Sequence, residues 1–252
     1  MIVVRQSGVL ALTLDRPEAR NAVNGEVYSM LARELDAAAE DPDIRVVVLA
    51  GKGPAFCAGA DVQHLRKVAA AGREASAADA RLATSTMFRL ATFPKPTVAA
   101  VQGPAYGAGA GLVLACDIAI ASEEARFALT EVRLGLVPGL VAPMMAEAIG
   151  RREARRYLLT GQAFDAREAL RIGMVHAVVA AGALDEEVSR QVEMLKAGGP
   201  RALAGTKQLL AGGYDDAKLQ EIVQMAVDQR DNPEAQEGIA AFLGKRKPSW
   251  PA

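Results

Sequence analysis

The strongest constraint on the fold is a design that occurs twice along the chain: an apolar strand, a Gly-rich loop and then a helix. In the first copy, the strand Ile44–Ala50 leads into the loop 51–59 and a helix that begins at about Asp61. In the second copy, the strand Thr97–Val101 precedes a small-residue helix over 107–115. Apolar runs of this length are typical of strands buried on both faces. The sequence therefore predicts an α/β fold in which strands alternate with helices.

The elements around these two copies agree with that prediction. Residues 2–6 and 9–14 predict two strands joined by a Ser7-Gly8 turn. Asn24 is a suitable cap for a helix that ends near Glu40, because apolar side chains repeat along one face of that segment. Residues 70–80 are Ala-rich and polar, which predicts a mobile surface segment.

After about residue 138 the pattern becomes mainly helical, with one strand at 175–179. The predicted helices cover 140–149, 151–159, 165–172, 183–196, 200–211, 215–230 and 233–243. We therefore expect an α/β core over 1–190 and a helical region over 191–252 that serves in oligomerisation.

Bulk composition excludes several classes of function. The 252 residues carry 29 basic and 30 acidic side chains, and this balance gives no general attraction for nucleic acid or an anionic membrane. No apolar run reaches the length of a membrane span, and the N-terminal residues lack the pattern of a secretory signal. Cys57 and Cys116 are expected to be packed free thiols, which fits a cytoplasmic location.

Both Gly-rich loops should present free backbone N–H groups at the start of a helix. Two such loops side by side could direct two N–H donors at one oxygen, which is the design of an oxyanion hole. Two other interpretations of the glycines remain open. They could only permit close helix packing, or the stretch 107–111 could bind a dinucleotide. Its G-x-G-x-G spacing, deep in the chain, argues against the second alternative.

The combined motifs, in their order and spacing, resemble the enoyl-CoA hydratase/isomerase (crotonase) family over nearly the whole chain. The matching stretches are Leu14-Asp15-Arg16-Pro17 with Asn21-Ala22, Ala58-Gly59-Ala60-Asp61, the segment 103–109 with Cys116-Asp117, the segment 127–138, and the segment 241–248. This resemblance implies a crotonase-like spiral of β-β-α units followed by a helical C-terminal region. It also implies an acyl-CoA thioester substrate, no separate cofactor and a homotrimer or hexamer.

The resemblance also assigns roles to individual residues. The backbone N–H groups of Ala60 and Ala108 would form the oxyanion hole, and Lys245 would face the CoA phosphate. The other residues expected to line the substrate site are Ala58, Gly59, Asp61, Val62, Gln63, Tyr106 and Gly107. Asp61 could instead only cap its helix, and Tyr106 could be a packed aromatic residue.

Hydratases of this family typically use two glutamates, whereas this chain keeps one. Glu131 matches the second, and Gly111 stands at the place of the first. An apolar setting would raise the pKa of Glu131 and suit it to proton transfer, although an ordinary ion pair with Arg133 or Arg126 is the alternative. Gly111 is expected to leave room for a bulkier acyl group or for water, so a glutamate introduced there should raise hydration.

We therefore expect a hydratase that adds water to a 2-enoyl-CoA. The main alternative is a 3-enoyl to 2-enoyl isomerase that uses Glu131 as its single base. Alternatives from other classes are a CoA-thioester-binding protein with little activity and a nucleotide-dependent oxidoreductase. A serine hydrolase is disfavoured because there is no G-x-S-x-G motif. His64 and His176 are the only histidines, so no metal site is expected.

Overall fold

The computed structural model describes residues 1–139 and 141–210, together with the single positions 233, 237, 241, 244, 246 and 249. Its strands are β1 Ile2–Gln6, β2 Val9–Leu14, β3 Val46–Gly51, β4 Thr97–Val101, β5 Ala105–Tyr106, β6 Ile118–Ser122, β7 Arg126–Ala128, β8 Phe164–Asp165 and β9 Ala177–Val179. Its helices are α1 Gly25–Glu40, α2 Val62–Ala70, α3 Arg73–Ala91, α4 Ala108–Leu114, α5 Val141–Thr160, α6 Ala166–Ile172, α7 Leu184–Lys196 and α8 Pro200–Leu210. The predicted helices over 215–230 and 233–243 lie outside the continuously described ranges.

Six strands form one sheet in the order β1-β2-β3-β4-β6-β9. The β1–β2 hairpin is antiparallel, and every other pair in this sheet is parallel. A second sheet contains β5, β7 and β8. Parallel neighbours need crossover connections, and the helices between the strands supply them. The predicted α/β class is confirmed.

The central strand β3 is buried on both faces, as its apolar sequence predicts. On one face, Val47 and Leu49 join the large core that also contains Leu31 of α1. On the other face, Val46 and Val48 join a smaller cluster with side chains of α7. Helices therefore cover both faces of the parallel part of the sheet, which explains why its strands are apolar throughout rather than alternating.

Most predicted helices begin and end within about two residues of the predicted positions. Asn24 caps α1 by accepting a hydrogen bond from the N–H of Val27 at 3.0 Å. Gly150 has φ 75° and ψ 152° and therefore breaks the helix over 141–160, in agreement with the two helices predicted there. Helix α7 runs through the predicted boundary at residue 190, and the division into a core and an oligomerisation region remains a prediction.

The segment predicted as mobile over 70–80 is largely helical, and its mobility stays a prediction. Residues from Arg73 onward form the first turns of α3, a helix of 19 residues. Gly72, with φ 99°, separates this helix from α2. The segment does lie at the surface, as predicted, but alanine is the strongest helix former, and the buried Thr86, Met87 and Leu90 fix the far end of the helix.

Candidate active site

A cavity of about 320 Å³ lies where the two Gly-rich loops meet the segment 130–141. Seven residues predicted for the site line it: Ala58, Gly59, Ala60, Val62, Gly107, Ala108 and Glu131. Asp61, Gln63, Tyr106 and Gly111 are not among its lining residues, and Lys245 lies outside the described residues. The structure therefore brings the two loops and the glutamate to one place.

Side chains and backbone from residues 16–23 hold the first loop. Arg16 donates from Nη1 to the Ala22 carbonyl oxygen at 2.5 Å and from Nη2 to the Asp61 carboxylate at 3.0 Å. The backbone of Val23 pairs with both sides of Ala60, because its N–H bonds to Gly59 and its carbonyl oxygen accepts from Asp61, each at 2.8 Å. The opening motif of the sequence therefore fixes the backbone on either side of Ala60.

Two buried or partly buried amides hold the preceding part of the same loop, and sequence reasoning gave neither of them a role. Asn21 donates to the carbonyl oxygens of Lys52 and Ala55 at 2.9 and 2.8 Å. Gln102 donates to those of Gly51, Gly53 and Ala55 at 2.6 to 3.0 Å. An amide side chain that follows a buried strand is the signal that could have found Gln102, since buried amides need partners.

Close backbone contact holds the second loop against the first. A Cβ built on Gly109 would lie 2.3 Å from the carbonyl oxygen of Cys57, so only glycine fits there. A Cβ built on Gly59 would lie 3.1 Å from the carbonyl oxygen of Tyr106 and 3.9 Å from the nitrogen of Ala108. The glycines therefore permit loop-to-loop packing, as one interpretation of the sequence held, and that packing brings the two predicted donors together.

The N–H groups of Ala60 and Ala108 have no hydrogen-bond acceptor among the described residues. Ala60 lies between the two bonds that Val23 makes, and Ala108 is the first residue of α4, where a helix leaves its N–H groups unpaired. Ala108 has a Cβ, but the unusual backbone angles belong to Gly107 before it, with φ 49° and ψ −116°. Both donors are therefore available at the cavity wall.

Glu131 begins a short 3-10 helix, Glu131–Leu134, three residues after the end of strand β7. Its Oε1 would lie 3.0 Å from a Cβ built on Gly107, and its Oε2 is buried without a hydrogen-bond partner among the described residues. Burial raises the pKa of this carboxyl, and only its own backbone N–H opposes the shift. A raised pKa next to free N–H donors fits an acid–base group.

The alternative ion pairs for Glu131 do not form. Arg133 donates to the carbonyl oxygen of Thr160 at 3.3 Å, and Arg126 donates to those of Glu123 and Ala125. Glu131 has no ion pair in the described part of the chain. Its unpaired oxygen points instead to a role in which a ligand or water supplies the partner.

The expectation that Gly111 leaves room for an acyl group or water is wrong. A Cβ built on Gly111 would lie 2.6 Å from Cγ2 of Val141 and 3.3 Å from both Sδ and Cε of Met87. These two side chains line the cavity, whereas Gly111 is buried behind them. A glutamate at 111 would therefore clash with Val141, and the gain in hydration expected from that substitution loses its basis.

Asp61 caps α2, as the simpler interpretation held. Its Oδ1 accepts from the N–H groups of Gln63 and His64 at 3.0 and 3.2 Å. The hydrogen bond from Arg16 is the main reason that its pKa is lowered. Because both carboxylate oxygens are occupied, Asp61 supports the loop from outside the cavity.

Neither histidine takes part in the cavity wall. Nε2 of His64 lies 2.6 Å from Asp79, and Nδ1 of His176 accepts from the N–H of Ala119 at 3.0 Å. Both cysteines are free and buried, as predicted. Within residues 1–139 and 141–210, no cluster of three or more His, Cys, Asp or Glu side chains could hold a metal ion, and no helix is long and apolar enough to cross a membrane.

Comparison with known proteins agrees with this geometry. The family model for enoyl-CoA hydratase/isomerase matches residues 4–252. The 2,3-dehydroadipyl-CoA hydratase of Escherichia coli K12 is 37% identical over 254 residues, which cover 99% of this chain and 98% of that protein. The chain therefore belongs to the enoyl-CoA hydratase/isomerase family of enzymes, and the resemblance stated from sequence is confirmed.

Solved structures extend the agreement to the whole fold. An enoyl-CoA hydratase from Shewanella pealeana is 36% identical with a TM-score of 0.93, covering 98% of this chain and 94% of that one. AtuE of Pseudomonas aeruginosa is 37% identical with a TM-score of 0.96, covering 100% and 99%. The predicted crotonase-like fold is confirmed.

Proposed function

We propose that the protein is an enoyl-CoA hydratase-type lyase, which adds water across the double bond of a 2-enoyl-CoA thioester. One observation carries the proposal: a buried carboxylate oxygen of Glu131 without a partner shares a cavity with two unpaired N–H groups. The N–H groups can stabilise negative charge that develops on a thioester oxygen, and the carboxylate can accept and return the proton that hydration requires.

In the proposed reaction, the thioester oxygen accepts hydrogen bonds from the N–H groups of Ala60 and Ala108. Attack of water on the β-carbon moves negative charge onto that oxygen and forms an enolate. Fixed N–H donors stabilise this charge without having to reorganise. Glu131 takes a proton from the attacking water as the C–O bond forms, and it then returns a proton to the α-carbon as the enolate collapses. The elements of water are thus added across the double bond, and Glu131 is ionised again for the next turnover.

Hydration is favoured over isomerisation by the relatives. Matching proteins carry names such as 2,3-dehydroadipyl-CoA hydratase and mevalonyl-coenzyme A hydratase. These names differ in the acyl group, so they support the reaction without fixing the substrate. An isomerase that uses Glu131 alone, and a CoA-thioester-binding protein with little activity, are the outcomes that an assay must exclude.

We also propose that the chain assembles as a homotrimer or hexamer, with Lys245 directed to the CoA phosphate. Large apolar side chains are exposed beside the cavity and on the later helices, and exposed apolar patches commonly mark interfaces. The clearest examples are Leu134, Val137, Leu159 and Leu210, which are 62 to 85% exposed. Light scattering that gives the mass of one chain would contradict this assembly.

The central test replaces Glu131 by glutamine, which keeps the shape but cannot accept the proton. We expect kcat with crotonyl-CoA to fall about 100-fold or more, with little change in ligand affinity. In the wild type, kcat should decrease as the pH falls through the raised pKa of Glu131, because the base must be ionised. Glu147→Gln on the exposed face of α5 is the matched control and should keep wild-type turnover.

The free energy of unfolding distinguishes a catalytic role of Glu131 from a structural one. Because its folded pKa is raised, its protonated form favours folding, and that contribution is lost as the pH rises through the folded pKa. Glu131→Gln should therefore be at least as stable as the wild type near neutral pH. A variant that unfolds more easily, or one that keeps near-normal hydration, would overturn the assignment.

A further inference from the structure

Three helices converge on the side of the cavity that lies over Gly111. Met87 of α3 and Val141 at the start of α5 occupy the space next to Gly111 of α4, where a Cβ would meet Val141 at 2.6 Å and Met87 at 3.3 Å. Both side chains are only 5% exposed, and both line the cavity. Met87 and Val141 therefore close the cavity on this side, and the glycine behind them lets them sit as deep as they do.

The chemical character of this closed side is apolar. Leu65 and Ala83 also line the cavity and are apolar, and Thr84 and Thr130 add only neutral hydroxyls. Glu131 is the one charged side chain among the described lining residues. An acyl group that ended in a carboxylate would have to lose its hydration here without a counter-ion, which is costly, whereas an aliphatic chain would gain from burial.

We propose that Met87 and Val141 are specificity-determining residues, which limit the depth of the acyl pocket and select an uncharged aliphatic acyl group. The proposal rests on the proposed function, because it concerns the substrate class of that same cavity. It predicts that side-chain volume at 87 and 141 controls the length of the acyl chain that is accepted. It also predicts that a terminal carboxylate is rejected.

The experiment measures kcat/KM for hydration of straight-chain 2-enoyl-CoA thioesters of four, six, eight and ten carbons. It includes 2,3-dehydroadipyl-CoA, which matches the six-carbon substrate but ends in a carboxylate. The wild type should prefer the uncharged six-carbon substrate by at least about 100-fold, which is the scale of burying an unpaired polar group and a lower bound for an unpaired charge. Met87→Ala and Val141→Ala should each shift the optimum to longer chains, by about tenfold in the ratio of eight-carbon to four-carbon kcat/KM.

Phe88→Ala provides the matched control for the loss of a large side chain from α3. Phe88 follows Met87 directly but is 58% exposed and lies outside the cavity, so its loss should leave the chain-length profile unchanged. Gly111→Ala should act in the opposite direction, since its methyl group would push Val141 into the cavity and favour the four-carbon substrate. Combining it with Val141→Ala should remove that effect.

The outcomes separate this proposal from the proposed function. If the wild type hydrates none of the thioesters, the proposed function fails. If it hydrates crotonyl-CoA but prefers the dicarboxylic substrate, or if folded Met87→Ala and Val141→Ala proteins keep the wild-type profile, the specificity proposal alone is wrong. Should Met87→Ala not fold, Met87→Leu and Val141→Ala provide the same test with a smaller loss of core volume, and an unchanged profile in both would again refute it.

Discussion

The two loops that present the N–H donors share a sequence pattern but are held in different ways. The first loop, 57–61, is tied to the rest of the chain by Arg16 and by the backbone of Val23. The second loop, 105–111, receives no side-chain hydrogen bond from the residues that the structure describes. It is held by close backbone packing and by two backbone hydrogen bonds, from Tyr106 to the carbonyl oxygen of Cys57 at 2.9 Å and from Gly107 to that of Ala128 at 2.8 Å. The Ala60 donor is thus positioned by a side-chain clamp as well as by backbone hydrogen bonds, whereas the Ala108 donor is positioned by backbone contacts alone within the described residues.

This difference predicts different tolerance to substitution. A hydrogen bond can be weakened in steps, since a shorter or neutral side chain keeps part of the geometry. Close packing around a glycine cannot be weakened in steps, because even the Cβ of alanine would clash with the facing backbone and displace the loop. We therefore expect substitutions in the second loop to affect folding and activity together, and substitutions in the clamp of the first loop to affect activity more than folding.

The largest effect is expected for Gly109→Ala. Its Cβ would lie 2.3 Å from a backbone oxygen of Cys57, which cannot move without moving the first loop. We expect the free energy of unfolding to fall by about 3 kcal/mol, at the upper end of overpacking effects, and hydration to be lost. Chemical denaturation and a crotonyl-CoA assay measure the two effects.

Gly182→Ala is the matched control, because no atom lies within 4 Å of a Cβ built there. It should leave stability and activity near those of the wild type. If Gly109→Ala were as stable and as active as Gly182→Ala, close packing would not be what positions the second loop.

Much of the fold could be predicted because the strands and α1 are determined by local apolar patterns. The strands β5, β7 and β8 were missed, since two or three residues are too few to show a period. Helix α3, Arg73–Ala91, was missed as a whole, and over 73–80 its alanine and polar residues resemble a loop although they favour a helix.

Within the site, the sequence predicted which loops meet but not what supports or fills the space between them. Glu131 and the two donors were found from the resemblance and the loop pattern. The groups that Arg16 and Gln102 bind lie tens of positions away, so the sequence does not show which carboxylate or carbonyl oxygens are their partners. The expectation of free space at Gly111 was wrong for the same reason, because the side chains that fill this space, Met87 and Val141, come from other helices.

An intermediate effect is expected for Arg16→Gln, which removes the charge that joins Ala22 and Asp61. Arg16 acts as a positioning residue, because it contacts the loop and does not line the cavity. A displaced Ala60 N–H should weaken stabilisation of the enolate more than binding of the substrate. We therefore expect kcat to fall about tenfold while KM changes less than threefold, well below the loss of a whole oxyanion donor.

Arg89→Gln removes an exposed ion pair with Asp36 and serves as the control for loss of an arginine charge. Its kcat should equal that of the wild type, because surface pairs contribute little. Equal decreases in kcat for both arginine variants, or an increase in KM alone for Arg16→Gln, would argue against a positioning role.

The smallest effect is expected for Asp61→Asn, which retains the helix cap and removes only the charge at the other end of the same clamp. Asparagine caps helices about as well as aspartate, so α2 should keep its N-terminus. Arg16 would still donate to the Ala22 carbonyl oxygen and to a neutral amide oxygen, so we expect kcat to fall only about twofold to threefold. Because the pKa of Asp61 is lowered in the folded protein, its charge favours folding above the unfolded pKa, and this contribution is lost as the pH falls through the folded value. The stability difference between wild type and Asp61→Asn should therefore be largest near neutral pH and disappear in acid. A decrease in kcat as large as that of Arg16→Gln would mean that charge, rather than the hydrogen bonds around Val23, positions the first loop.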